Sequence, residues 1–173
     1  MTQRGGKCRL FKGRMNGGYV GNSWCNGGGE EPCFEFVNTI KTVIEDTGTE
    51  GYAEKPQYRF ENCHFLDGRS INIGTPNGDI VGNGLELIGC TDCRFDGRYA
   101  YAGNPAFSTQ GQGGAKVTVI DADSARNVFT RWGVRAVDGD GEAELEIAAP
   151  ESAGNRIEWV DVRTGATGTL TGV

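Results

Sequence analysis

Short stretches in which every second residue is apolar recur along the chain. They include Tyr58-Arg59-Phe60, Leu85-Glu86-Leu87, Val117-Thr118-Val119 and Leu145-Glu146-Ile147. Others are Ser70-Ile71-Asn72-Ile73, Tyr99-Ala100-Tyr101, Val134-Arg135-Ala136-Val137 and Trp159-Val160-Asp161-Val162. A period of two places alternate side chains on opposite faces, so each stretch reads as a short strand with one buried face. Helical periodicity is almost absent. The one competing segment, Asn38 to Glu45, is rich in β-branched residues and reads as strand as well.

The strands come in units. The phrase Cys8-Arg9-Leu10-Phe11-Lys12-Gly13-Arg14 returns as Cys63-His64-Phe65-Leu66-Asp67-Gly68-Arg69 and as Cys93-Arg94-Phe95-Asp96-Gly97-Arg98. Extending it gives a ladder at Cys8, Cys33, Cys63, Cys93, Asn127 and Asn155, with steps of 25, 30, 30, 34 and 28 residues. At Cys33 the Gly-Arg turn is missing and the aromatics fall one place out of phase. A repeat of this length, built from three short strands and turns, predicts a β-solenoid of about five to six coils. Only stacking satisfies the backbone groups of such coils, at about 4.8 Å per step, so six would stand roughly 30 Å tall. Cysteine behaves as a small buried hydrophobe, and asparagine can bridge the coils above and below through its amide. A file of these two residues therefore suits one narrow interior corner.

Composition changes the picture little. The 173 residues are enough for one substantial core, and the 29 glycines suit many tight turns. The expected division is an N-terminal cap and first coil over 1–32, coils over 33–163, and a Gly-Thr-rich tail or cap over 164–173. With 17 basic and 23 acidic residues the net charge is −6, which argues against a general nucleic-acid binder. No run of 18 apolar residues suggests a membrane span, and Met1 to Gly6 lacks a secretion-signal pattern, so synthesis in a cytoplasm is expected. The six cysteines then read mainly as reduced core residues; Cys25 lies off the ladder and is the one with a disulfide alternative, to Cys8 or Cys33. Cys90-Thr91-Asp92-Cys93 has zinc-like spacing without a second pair, so no metal and no cofactor are expected.

The repeat resembles the right-handed parallel β-helix superfamily that includes pectin and pectate lyases, polygalacturonases and viral tailspikes. The resemblance runs from Cys33 onward and implies a single-domain, all-β right-handed parallel β-helix. Polygalacturonase-like enzymes carry grouped aspartates with Gly-His-Gly and Arg-Ile-Lys elements. Here Asn38-Thr39-Ile40-Lys41 is a partial echo, and the lone histidine, His64, has no glycine beside it and reads as outward-facing. Asp67 and Asp96 are the remaining catalytic candidates, at matched turns on adjacent coils, because a carboxylate pair about 5 to 10 Å apart can hydrolyse a glycoside. The acidic loops Asp121-Ala122-Asp123 and Asp138 to Glu142 match no complete calcium loop and read as solvated turns.

For binding, Arg14, Arg69 and Arg98 follow turn glycines and suit carboxylates of a neighbour or an acidic sugar, while Tyr99 and Tyr101, with Phe107, suit a sugar-stacking or subunit face. Trp132 and Trp159 are expected at equivalent places on successive coils. The favoured functional expectation is a non-enzymatic structural protein of a virus particle: a capsid decoration, head spike or tail-fibre subunit. It would be a homo-oligomer, a trimer by resemblance, contacting capsid or other virion proteins and a host-surface glycan, with no nucleic acid or membrane partner. The alternative is a carbohydrate-active or carbohydrate-binding β-helix.

Overall fold

The alternating stretches do not pair with their neighbours in sequence. Within the described residues they pair in parallel with the equivalent stretch one coil away, so the chain forms an all-β, single-domain solenoid of stacked parallel coils. The computed structural model describes residues 2–4, 11–26, 31–50, 55–73, 83–97, 116–134 and 142–173. Among these, a small sheet holds β2 (Phe11–Gly13), β4 (Phe34–Val37), β6 (Tyr58–Glu61), β9 (Leu85–Ile88), β11 (Thr118–Ile120) and β13 (Leu145–Ile147), in that spatial order. The path from β4 through β6, β9 and β11 to β13 makes four turns of the solenoid, and β2 adds a rung before it.

The large sheet begins with β1 (Thr2–Arg4), β3 (Asn16–Asn26), β5 (Ile40–Glu50) and β7 (Asp67–Arg69). It continues with β10 (Arg94–Asp96), β12 (Val128–Val134), β14 (Arg156–Asp161) and β15 (Thr167–Thr171), while β8 (Asn72–Ile73) also pairs with β5. The second and third stretches of each unit thus share one sheet, bent where Asn22, Asp46, Ser70 and Arg131 take a left-handed backbone. The third side of the coil shrinks to a column of single bridges, Ile40 to His64 to Thr91 to Ala125. Every strand pair is parallel except β14 with β15. That last strand turns back over the final coil, and its terminal Val173 N–H donates to Ala149 O at 3.2 Å. An end strand that would otherwise be an open edge is covered in this way.

Inside, equal side chains meet at the coil spacing. Phe34 stacks on Tyr58 with centroids 4.8 Å apart, Phe36 on Phe60 at 5.2 Å and Phe95 on Phe129 at 4.6 Å. A rung spacing of about 4.8 Å is also a good stacking distance for rings, so backbone pairing and aromatic packing reinforce each other. Two buried polar tips find partners on neighbouring elements: Trp132 Nε1 donates to Thr118 Oγ1 at 2.9 Å, and Tyr58 Oη to Thr47 Oγ1 at 3.2 Å. Trp132 does lie beside Trp159 on successive coils.

The expected ladder needs correction, because the register divides it into two files. Arg94 pairs with Asp67 and with Val128, and Val128 with Arg156. The residues before them, Leu66, Cys93, Asn127 and Asn155, therefore form one file. The bridge column places Thr39, Cys63, Cys90 and Ser124 in a second file one corner earlier. Cys63 is thus the counterpart of Cys90 and not of Cys93. Cys33 precedes β4 at the start of the small-sheet strand, in neither file, and Cys8 lies outside the described residues. Lys12 is not the counterpart of Asp67 either, since it sits on the small sheet opposite Glu35. The small-sheet alternation at β11 is Thr118-Val119-Ile120, one residue later than the apolar pattern suggests.

The second half of the ladder forms as expected. Asn127 Oδ1 accepts from Cys93 N at 3.0 Å, and its Nδ2 donates to Cys90 O at 2.8 Å and to Asn155 Oδ1 at 3.0 Å. Asn155 Oδ1 also accepts from Asn127 N at 3.0 Å, and Asn155 Nδ2 donates to Ser124 O at 2.7 Å. No disulfide joins Cys25 to Cys33, and Cys33, Cys63, Cys90 and Cys93 are buried thiols; the alternative pairing of Cys25 with Cys8 involves Cys8, outside the described residues.

Candidate functional site

The outer face of the large sheet collects the charged residues. Gly68, Phe95, Phe129 and Ile157 point inward and are buried, so the residues flanking them point out. One outward row runs Tyr19, Val43, Asp67, Arg94, Val128, Arg156 across successive coils. A second runs Gly21, Glu45, Arg69, Asp96, Thr130. Gly68 has a steric reason: a Cβ there would strike the Phe95 ring of the next coil.

A cleft of about 460 Å³ opens on this face, lined by Asp67, Arg69, Arg94, Asp96, Thr130 and Arg156 over Phe95 and Val128. Its ion pairs are ordered. Arg69 pairs with Asp67 on its own strand, and Arg131 grips Asp96 through both Nε and Nη2. Arg156 Nη2 meets Glu158 Oε1 at 2.8 Å. The hydrogen bonds that Arg69 donates to Asp67 and Arg131 to Asp96 raise both guanidinium pKa values above the ordinary one. Arg94 is exposed and makes no ion pair among the described residues. At the N-terminal end of the same face, Tyr19 is 55% exposed and donates to Glu45 Oε2 at 3.3 Å. Three guanidinium groups against two carboxylates leave the cleft lining cationic on a chain that is anionic as a whole.

The structure thus brings Asp67, Asp96 and Arg69 together, although not as matched turns: Asp67 faces Arg94, and Asp96 faces Arg69. The two aspartates are diagonal neighbours, about 7 to 8 Å apart by backbone geometry. Each carboxylate is held by an arginine. Arg14 is exposed between β2 and β3, outside the cleft lining. Arg98, Tyr99, Tyr101 and Phe107 lie outside the described residues. Arg94, Arg131, Arg156 and Tyr19 were not singled out by sequence. Their signal was positional, an outward place on a strand whose register was unknown.

Two other groups carry chemistry. His64 sits half-buried in the bridge column, with Nδ1 2.7 Å from Thr91 Oγ1. The Cys90 thiol neighbours that of Cys63 on one side and that of Cys93 on the other. A hydrogen bond with Cys90, followed by burial, pushes the Cys63 thiol pKa well up. At Cys90 the bond with Cys63 pulls the value down, but the bond with Cys93 and burial outweigh it, and the thiol is pushed up to about 12. These are core thiols rather than nucleophiles. Among the described residues no three His, Cys, Asp or Glu side chains converge on a metal-sized site, and no helix is long and apolar enough to cross a membrane.

Compared with protein-family models, with curated proteins and with solved structures, the chain matches none.

Proposed function

We propose that this β-solenoid is a non-enzymatic structural subunit of a virus particle, a decoration, spike or tail-fibre module that attaches through the outer face of its large sheet. The observation that carries this reading is the ion-paired array on that face. Guanidinium and carboxylate groups alternate over rigid, mutually stacked strands, and both candidate catalytic acids are occupied by arginines. Such a face recognises by fixed charge geometry, which favours docking on a partner of complementary pattern. A stacked core with stapled corners also suits a part that must keep its shape outside a cell.

A second reading, a carbohydrate-binding module, draws on Arg94 and Tyr19. An exposed ring and a cation with no ion-pair partner among the described residues share one face across several coils, as an acidic glycan would require. Immunogold labelling of particles from a culture producing the protein, with a parallel incubation against neutral, carboxylated and sulfated polysaccharides, separates these readings. Labelled particles and uncleaved polysaccharide are expected. Release of oligosaccharides that disappears in the Asp67→Asn, Asp96→Asn double variant, with the fold retained, would overturn the non-enzymatic reading.

A further inference from the structure

The corner after the bridge column carries Lys41, Phe65, Asp92 and Arg126 on four successive coils. All four take a left-handed backbone, with φ of 52, 56, 57 and 55°. Each N–H donates to the next coil: Lys41 to His64 O, Phe65 to Thr91 O, Asp92 to Ala125 O and Arg126 to Ala153 O, at 2.8 to 3.2 Å. The left-handed region disfavours a bulky side chain, and asparagine or glycine is its usual occupant. Phe65 occupies it while remaining 55% exposed, so its ring gains little burial within its own chain. Strain held at an exposed aromatic points to a contact outside the chain.

We propose that this corner is a self-association surface on which Phe65 packs against Phe65 of a second copy across a two-fold axis. The charges on either side select that arrangement. Lys41 stands one coil before Phe65 and Asp92 one coil after it. A two-fold axis through the ring sets each Lys41 against the second copy's Asp92, whereas a side-by-side parallel arrangement would set lysine on lysine and aspartate on aspartate. Arg126, two coils after Phe65, falls opposite Gly17, the counterpart of Lys41 in the preceding coil, and meets no like charge. This pattern is complementary to itself, as a closed two-fold contact requires. Asp92 is bound by Arg126 at 2.6 and 2.7 Å, which holds its carboxyl below the usual range and keeps it anionic toward the incoming lysine. The ridge is narrow, so the pair forms in a concentration-dependent way rather than permanently. It replaces the three-fold assembly expected by resemblance, and it does not use the outer face of the large sheet, so its failure leaves the attachment reading intact.

Light scattering on the full chain over a rising concentration series tests it. The native protein is expected to pass from monomer to dimer mass. Phe65→Gly is expected to stay monomeric with a thermal midpoint no lower than native, because glycine relieves the left-handed strain. Lys41→Glu and Asp92→Lys are each expected to stay monomeric, since each sets like charges together twice. An equimolar mixture of the two is expected to recover dimer mass, because both contacts then pair opposite charges. A native protein that is monomeric throughout, a trimer, a dimer that persists in Phe65→Gly, or a mixture no heavier than its parts would each overturn the proposal.

Discussion

The two corner files of the interior do the same geometric job with different chemistry. Thr39, Cys63, Cys90 and Ser124 fill one corner with small side chains, and the thiols there reach backbone carbonyls at 3.3 to 3.5 Å as well as each other. The neighbouring file changes character along the solenoid: Leu66 and Cys93 are followed by Asn127 and Asn155, whose amides link three successive coils at 2.7 to 3.0 Å. The earlier coils also hold the stacked pairs Phe34 with Tyr58 and Phe36 with Phe60. The difference teaches that a parallel coil can be held by ring and thiol packing alone or with side-chain amides that satisfy the backbone, and that this chain adds the second means from Cys93 onward while Phe95 still stacks on Phe129.

The hardest test of that contrast is to remove a ring from the early coils. Phe60→Ala takes away a fully buried ring that touches Phe36, Tyr58 and Phe95, and a loss of about 3 to 5 kcal/mol in a denaturant titration is expected. In the later coils Asn127→Leu leaves the Cys93 N–H and the Cys90 carbonyl without their side-chain partner, for an expected loss of about 2 to 4 kcal/mol. An unchanged midpoint would show that the amide file is dispensable.

Alkaline pH should then sharpen the comparison, because the raised thiols of Cys63 and Cys90 both belong to the first file. The folded values at Cys63 and Cys90 are raised, so the folded state keeps protons that the unfolded chain releases. Stability from this source is therefore complete below the unfolded pKa of about 8.5 and falls as pH rises above it toward about 12 at Cys90, by about 1.4 kcal/mol per unit per thiol. Thermal melts at rising pH should show a steeper decline in the native protein than in Cys90→Ala. The smallest effect is expected outside: Arg131→Ala removes an exposed pair with Asp96 and should leave the denaturation midpoint close to the native one.

The repeat was legible because period-two alternation and the recurrent cysteine phrase both survive as one-dimensional pattern. The register was not. Cys63 to Arg69 and Cys93 to Arg98 look alike, yet Asp67 is opposite Arg94 and Arg69 is opposite Asp96. The unit that recurs in space is shorter: two left-handed residues three apart, at Asn38 and Lys41, Asn62 and Phe65, Gly89 and Asp92, enclosing a Thr or Cys that points inward. Lysine, phenylalanine and aspartate at such sites give no common letter to read. The same slip hid the candidate site, since which arginine neighbours which carboxylate depends on the register alone. Tyr19 escaped for another reason: it lies in Gly-rich text that reads as loop but forms the long strand β3.

Each of the three tryptophans sits where a neighbouring residue has no Cβ: Trp24 against Gly48, Trp132 against Gly97 and Trp159 against Gly168. They mark the first coil and the last two, so the chain carries its own fluorophores at both ends of the stack. In a structure whose coils touch only their neighbours, melting can begin at either end. Single Trp→Phe variants would then report, through emission alone, which end of the solenoid opens first.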